Sequence, residues 1–216
     1  MSKFLIKGIF ANFDLKCLTE ANIMRRSIKF VLGITMAATL IGCDVASEFG
    51  AGYNYLEAGK GAAEAYPSLP AFEAQRRHAQ DQFKAIAATK QTQEEKRELA
   101  AAFYAGFANY NARAIPEYCR RVNQYPTDFV DGFYKMNARE ETALEEILAL
   151  RKMSKEDLWG KHERTMMARA KYDLMGGNIA PGSSASCKKI KNNPEFFLKR
   201  TNFRNQFFDV YRVLVK

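Results

Sequence analysis

The sequence predicts an all-α fold for residues 67–216, on three observations. From Pro67 onward, apolar residues recur at intervals of three and four, the spacing of one helix face. Capping patterns stand ahead of several of these stretches. No run of β-branched residues alternates with polar ones, as a half-buried strand requires.

The elements follow in order. Ser68 is placed to cap a first helix, with Pro70 in its first turn and Phe72, Ala79, Phe83 and Ile86 on one face. Thr92 and Glu95 have capping-box spacing and open a second helix, striped by Leu99, Phe103, Phe107 and Tyr110. Pro116 should break or kink that helix, and Pro126 should end the turn around Cys119. Thr127 caps a third, long helix that turns Phe129, Phe133, Met136, Leu144, Ile147 and Leu148 inward. Ser154 starts a fourth, which runs to the stop signal Gly176-Gly177. Residues 178–192, centred on Pro181 and Gly182, read as a loop. Asn193-Pro194 begins a last helix, whose Phe196, Phe203, Phe207, Val210 and Leu214 form the clearest stripe in the chain. Five amphipathic helices with mostly short connections predict an irregular antiparallel helical bundle over 67–216.

The residues ahead of this domain give an address. Arg25, Arg26 and Lys29 follow Met24 and precede an apolar run over 30–41 that ends in Leu40-Ile41-Gly42-Cys43. A basic segment, a short apolar segment and small residues at a cut are the parts of a secretory signal. The apolar run is shorter than the roughly 20 residues needed to span a bilayer. Leu40-Ile41-Gly42-Cys43 also resembles the lipobox of bacterial lipoproteins. The resemblance implies that signal peptidase II cuts before Cys43, that the Cys43 thiol is diacylated (a palmitate-type anchor), and that the new amino terminus is acylated as well. Residues 24–42 are then a signal peptide. Residues 43–66, with Gly50, Gly52, Gly59 and Gly61 among small residues, are expected to be a flexible tether. Residues 1–23 make an unusually long leader containing Asp14 and Glu20, so translation is expected to start at Met24, leaving Cys17 outside the protein. Asp44 resembles the retention signal of enteric lipoproteins, which favours the inner membrane over the outer.

Net charge is +9 over the chain, and part of that excess lies in the signal. The rest gathers between Lys188 and Lys216. Mixed signs elsewhere describe a solvated surface and give no argument for nucleic acid. With Cys17 and Cys43 set aside, Cys119 and Cys187 remain, and in an oxidising compartment such a pair is expected to form a disulfide.

Chemistry-bearing motifs are largely missing. His162 and Glu163 begin like a zincin motif that has no second histidine, and neither His78 nor His162 follows a glutamate at di-iron spacing. Met166 and Met167 near His162 match core methionines better than haem ligands. Ser186 and Lys189 have Ser-x-x-Lys spacing without its companion motifs. Residues 52–60 fail the P-loop spacing, Gly61 standing where a Ser or Thr would hold magnesium. No metal or cofactor is therefore expected.

Glu140, Glu141, Glu145 and Glu146, near Arg139, Arg151 and Lys152, read as a solvated ion-paired face. Arg200 and Arg204 project inside the arc of Phe196, Phe203, Phe207 and Tyr211. They either snorkel from an apolar border, pair with those glutamates, or receive an anionic partner group. The sequence thus points to a non-enzymatic, lipid-anchored protein facing the periplasm that binds another envelope protein. It would serve as an assembly or exclusion factor for a secretion, pilus, conjugation or envelope system. The rival reading is a small-ligand-binding or cell-wall-acting protein that uses the acidic cluster and the basic last helix.

Overall fold

The structure is a computed structural model that describes residues 54–175 and 183–216, all within the unit Asp44–Lys216. The signal segment, Cys17, Cys43, Asp44 and the Gly176-Gly177 stop lie outside the described residues. Those described are helical with no strand: α1 (Tyr55–Ala58), α2 (Ala62–Ala65), α3 (Ala71–Thr89), α4 (Gln93–Ala108), a π-helical segment (Asn109–Ala114), α5 (Ile115–Arg121), α6 (Thr127–Met136), α7 (Ala138–Leu150), α8 (Lys155–Leu174), α9 (Ser183–Asn192), α10 (Pro194–Arg200), α11 (Phe203–Gln206) and α12 (Phe208–Leu214). The all-α prediction holds. Among these helices none is long and apolar enough to cross a membrane.

The predicted capping box at Thr92 forms, and the predicted helix start at Ser154 carries a second one. Thr92 accepts from the Glu95 N–H while the Glu95 carboxylate receives the Thr92 N–H, and Ser154 and Asp157 do the same ahead of α8. Each box satisfies donors that a helix start otherwise leaves orphaned. Two other predicted starts are shifted. Pro70, not Ser68, is the N-cap of α3, and Pro126, not Thr127, that of α6.

The predicted tether does not extend over 54–66. The Asn54 side chain accepts the N–H groups of Leu56 and Glu57 and caps α1, and Tyr55, Ala58 and Ala62 are buried. The Tyr55 ring meets Phe103, Phe107 and Phe207 edge-on at 5.5–5.7 Å between centroids. Gly106 permits this approach, since a Cβ there would stand 2.5 Å from the Asn54 Cβ. Four-residue helices are too short to show a periodicity, and the Asn54 cap and the burial of Tyr55, Ala58 and Ala62 hold them.

The core is aromatic. Phe103, Phe107, Phe203 and Phe207 pack with centroid separations of 5.1–6.1 Å, and Tyr104 meets Phe203 at 4.8 Å. Edge-to-face pairs of this kind add about 0.5–1.5 kcal/mol each beyond area burial.

Three predicted elements are revised. The third helix is two, α6 and α7, divided at Asn137, which is fully buried. The last helix is three, with Phe203, Phe207, Val210 and Leu214 buried but Phe196 half exposed. The predicted loop over 178–192 contains α9 from Ser183, which buries Cys187 and Ile190. Phe72, expected inward, is 53% exposed.

Candidate functional site

The most distinctive local geometry stands where Pro116 was expected to break the second helix. The helix runs on instead through the π-helical turn Asn109–Ala114 into α5, with Pro116 in the first turn of α5. A proline clashes with the carbonyl four residues back, and the wider π-turn absorbs that conflict without ending the helix. Such turns concentrate at functional sites.

The π-turn is tied to α8 at several points. The Tyr110 hydroxyl donates to the Asp173 carboxylate, which Arg169 also holds at 2.8 Å. Arg113 donates to Glu156 at 2.7 Å, and its guanidinium lies over the Trp159 ring at 4.9 Å. Burial, then the adjacent Asp173 charge, keeps the Tyr110 phenol well above its ordinary pKa, so it remains a donor.

Two cavities meet at Arg113 and Tyr134. The outer one, about 340 Å³, is lined by Pro116, Glu117, Arg120, Tyr125, Trp159 and Glu163 as well. The inner one, about 260 Å³, reaches Asn109, Glu141, Lys155 and Glu156 between the apolar walls Ala108 and Leu144. Glu141 is fixed by the Tyr104 hydroxyl at 2.6 Å and by Lys155 at 2.5 Å, and Lys155 also reaches Glu145 at 2.6 Å. Burial is the largest influence on the Tyr134 phenol and raises its pKa, with the Glu141 charge adding to the effect.

The acidic cluster therefore differs from a solvated face. Glu140 and Glu141 are buried, while Glu145 and Glu146 are exposed and paired with Lys155 and Arg97. Among the described residues, Arg139 and Lys152 do not supply these pairs, and Arg151 instead binds the buried Glu98, one of whose oxygens has no partner there.

Cys119 and Cys187 lie at disulfide distance, with S–S 2.03 Å and Cα–Cα 5.4 Å, joining α5 to α9. Arg200 and Arg204 are exposed and form no ion pair within 4 Å among the described residues. Arg200 lies over Phe196 at 4.2 Å and Arg204 over Tyr211 at 5.4 Å. Neither lines the two cavities. His162 is partly buried, which lowers its pKa, and Met166 packs in the core with Tyr110, Ala114 and Ala170. Among the described residues no cluster of His, Cys, Asp and Glu could hold a metal.

Sequence reasoning missed Asn109, Arg113, Tyr134 and Trp159. The available signal was two asparagines, Asn109 and Asn111, on an otherwise Ala-rich buried helix just ahead of a proline. No protein-family model, curated protein or solved structure matches this chain.

Proposed function

We propose that the chain is a lipid-anchored, non-enzymatic protein of the bacterial cell envelope, attached at Cys43 and facing the periplasm, with the inner membrane favoured by Asp44. Its helical domain, read as an irregular antiparallel bundle, binds another envelope protein as an assembly or exclusion factor. One observation carries the interaction reading. Arginines cover aromatic rings that stay open to solvent: Arg200 over Phe196, which is 51% exposed, and Arg212 over Phe208, which is 48% exposed. Aromatic residues and arginine are enriched in the cores of protein interfaces. Leaving large rings exposed forgoes burial energy that the fold would otherwise gain.

The test uses the full chain in cells, with a photo-crosslinking residue at Phe196 or Phe208 and a control at the exposed Tyr172. A discrete crosslinked product at the first two positions, lost in Arg200→Gln/Arg212→Gln at unchanged thermal stability, is the expected result. Equal products at all three positions, or none, would remove the interface.

A second reading, small-ligand binding, is favoured by the inner cavity. There Glu141 pairs with Lys155, and Arg113 lines the same space, where the sequence had suggested Arg200.

A further inference from the structure

We propose that α9 is a lipid-docking face, whose exposed Lys188, Lys189 and Lys191 rest on the headgroups of an anionic bilayer and orient the anchored domain. The inference rests on the anchor at Cys43 proposed above. It goes beyond the protein interface at Phe196 and Phe208 and uses neither ring.

The placement of charge is the first observation. Residues 44–216 hold 27 Lys and Arg against 22 Asp and Glu, and residues 184–208 alone hold six against one. The whole excess therefore sits in 25 residues, and the rest of the domain is neutral. The six are Lys188, Lys189, Lys191, Lys199, Arg200 and Arg204, opposed by Glu195. All six are exposed, and none forms an ion pair within 4 Å among the described residues. Elsewhere such cations are often matched, as Lys84 is by Asp209 and Arg97 by Glu146. Concentrated charge without a counterpart repels itself, and a surface of opposite sign relieves it.

α9 itself is the second. Cys187 and Ile190 are buried, and Cys187 lies at disulfide distance from Cys119 of α5. These side chains seat the helix, while the lysines beside them stay in solvent. Every cation of α9 is a lysine. Lysine is depleted at protein interfaces, where arginine and aromatic rings are enriched, whereas polybasic segments of either residue are drawn to an anionic leaflet. Over 184–192 no exposed apolar side chain is larger than Ala185, so the contact is with headgroups and not with acyl chains. In this α9 differs from the Arg200–Phe196 and Arg212–Phe208 pairs.

Distance is the third. Asn54 caps α1 and Tyr55 is buried, so the described fold begins eleven positions after Cys43. Eleven residues span at most about 40 Å in any arrangement, against a radius of gyration of about 15 Å for a domain of this size. An anchor at Cys43 confines the domain beside the bilayer. Confinement raises the effective concentration of headgroups until a few weak ionic contacts suffice.

The full chain, extracted with its anchor, is reconstituted into neutral phosphatidylcholine vesicles and into vesicles that also contain phosphatidylglycerol. A water-soluble amine-acylating reagent is added, and peptide mass spectrometry gives the rate at each lysine, with the exposed Lys152 and Lys161 as references. Acylation of Lys188, Lys189 and Lys191 is expected to slow about fivefold in the anionic vesicles relative to those references, and to recover in high salt. Equal rates in the two kinds of vesicle overturn the docking face, and so does equal slowing at the references. Protection by soluble polyglutamate with none by anionic vesicles overturns the lipid in favour of an acidic protein. Flotation with the neutral vesicles reads the anchor separately. A chain that floats without protection of α9 loses only the docking face, whereas a chain that does not float loses the anchor and the docking face with it.

Discussion

The side-chain oxygen of Asn137 accepts the backbone N–H of Phe203 at 2.9 Å, across 66 positions of sequence. The same carboxamide donates to the Phe133 carbonyl at 3.0 Å and the Thr201 carbonyl at 3.2 Å. One buried side chain therefore satisfies backbone groups at two helix breaks, between α6 and α7 and between α10 and α11. Asn137→Ala would leave a buried N–H without a partner, at a cost of about 1–3 kcal/mol, before the other two bonds are counted. Urea unfolding measures this. A midpoint equal to that of the unsubstituted chain would show that the clasp contributes nothing.

Phe203 and Phe196 were drawn from one predicted stripe, yet they should respond oppositely to truncation. Phe203 is fully buried among four other rings, and Phe203→Ala is expected to cost about 3–5 kcal/mol. Phe196 is half exposed beneath Arg200, and Phe196→Ala should stay within about 0.5 kcal/mol. Thermal melts of the two variants decide it, and a large loss at Phe196 would place that ring in the core.

These residues show where the sequence was legible. Helix type and most core positions follow from apolar spacing, and the two capping boxes follow from local chemistry that needs no tertiary partner. The division at Asn137 does not, because its hydrogen bonds reach Phe203 and Thr201, and nothing in residues 127–150 signals them. The packing of 54–66 is hidden for the same reason, since Tyr55 is held by rings from α4 and the C-terminal residues. At the candidate site, Glu140 and Glu141 looked like surface charge because an (i, i+4) reading counts neighbours on one helix only. Glu141 in fact meets Tyr104 and Lys155 on other helices. The π-turn could not be read, because Pro116 signals a conflict without saying how the backbone resolves it.

Cys119 and Cys187, 68 positions apart, lie at disulfide distance, and a bond between them would join a helix next to the π-turn to one that starts at Ser183. Constraining an unfolded loop of that length is worth about 4 kcal/mol or less. Reduction of the full chain should lower its unfolding midpoint accordingly, and the variant Cys119→Ala/Cys187→Ala should be insensitive to reductant. Two thiols that alkylate in unreduced protein taken from the envelope would contradict the bond.

Glu140 makes a pH prediction with a definite sign. It is 3% exposed, and burial, more than the neighbouring Glu141 charge, raises its pKa above the ordinary 4.5, while a backbone hydrogen bond, then Arg204 and Arg139, act the other way. An acid with a raised native pKa binds its proton more tightly when folded than when unfolded. The folded state therefore loses relative stability as pH rises from the ordinary carboxylate value through the native one. Glu140→Gln keeps the shape without the charge. It should be more stable than the parent chain at neutral pH, the advantage fading as the pH falls into the carboxylate range. Glu95 and Asp157 work in the opposite direction, since their capping-box hydrogen bonds lower their pKa values and their contribution is lost on acidification. Both are present in the parent and the variant, so the difference between the two stability curves isolates Glu140. Urea midpoints recorded from mildly acidic to neutral pH supply those curves. A Gln variant less stable than its parent at neutral pH would mean that the backbone hydrogen bond with Arg204 and Arg139 outweighs burial, and that Glu140 is held as a carboxylate.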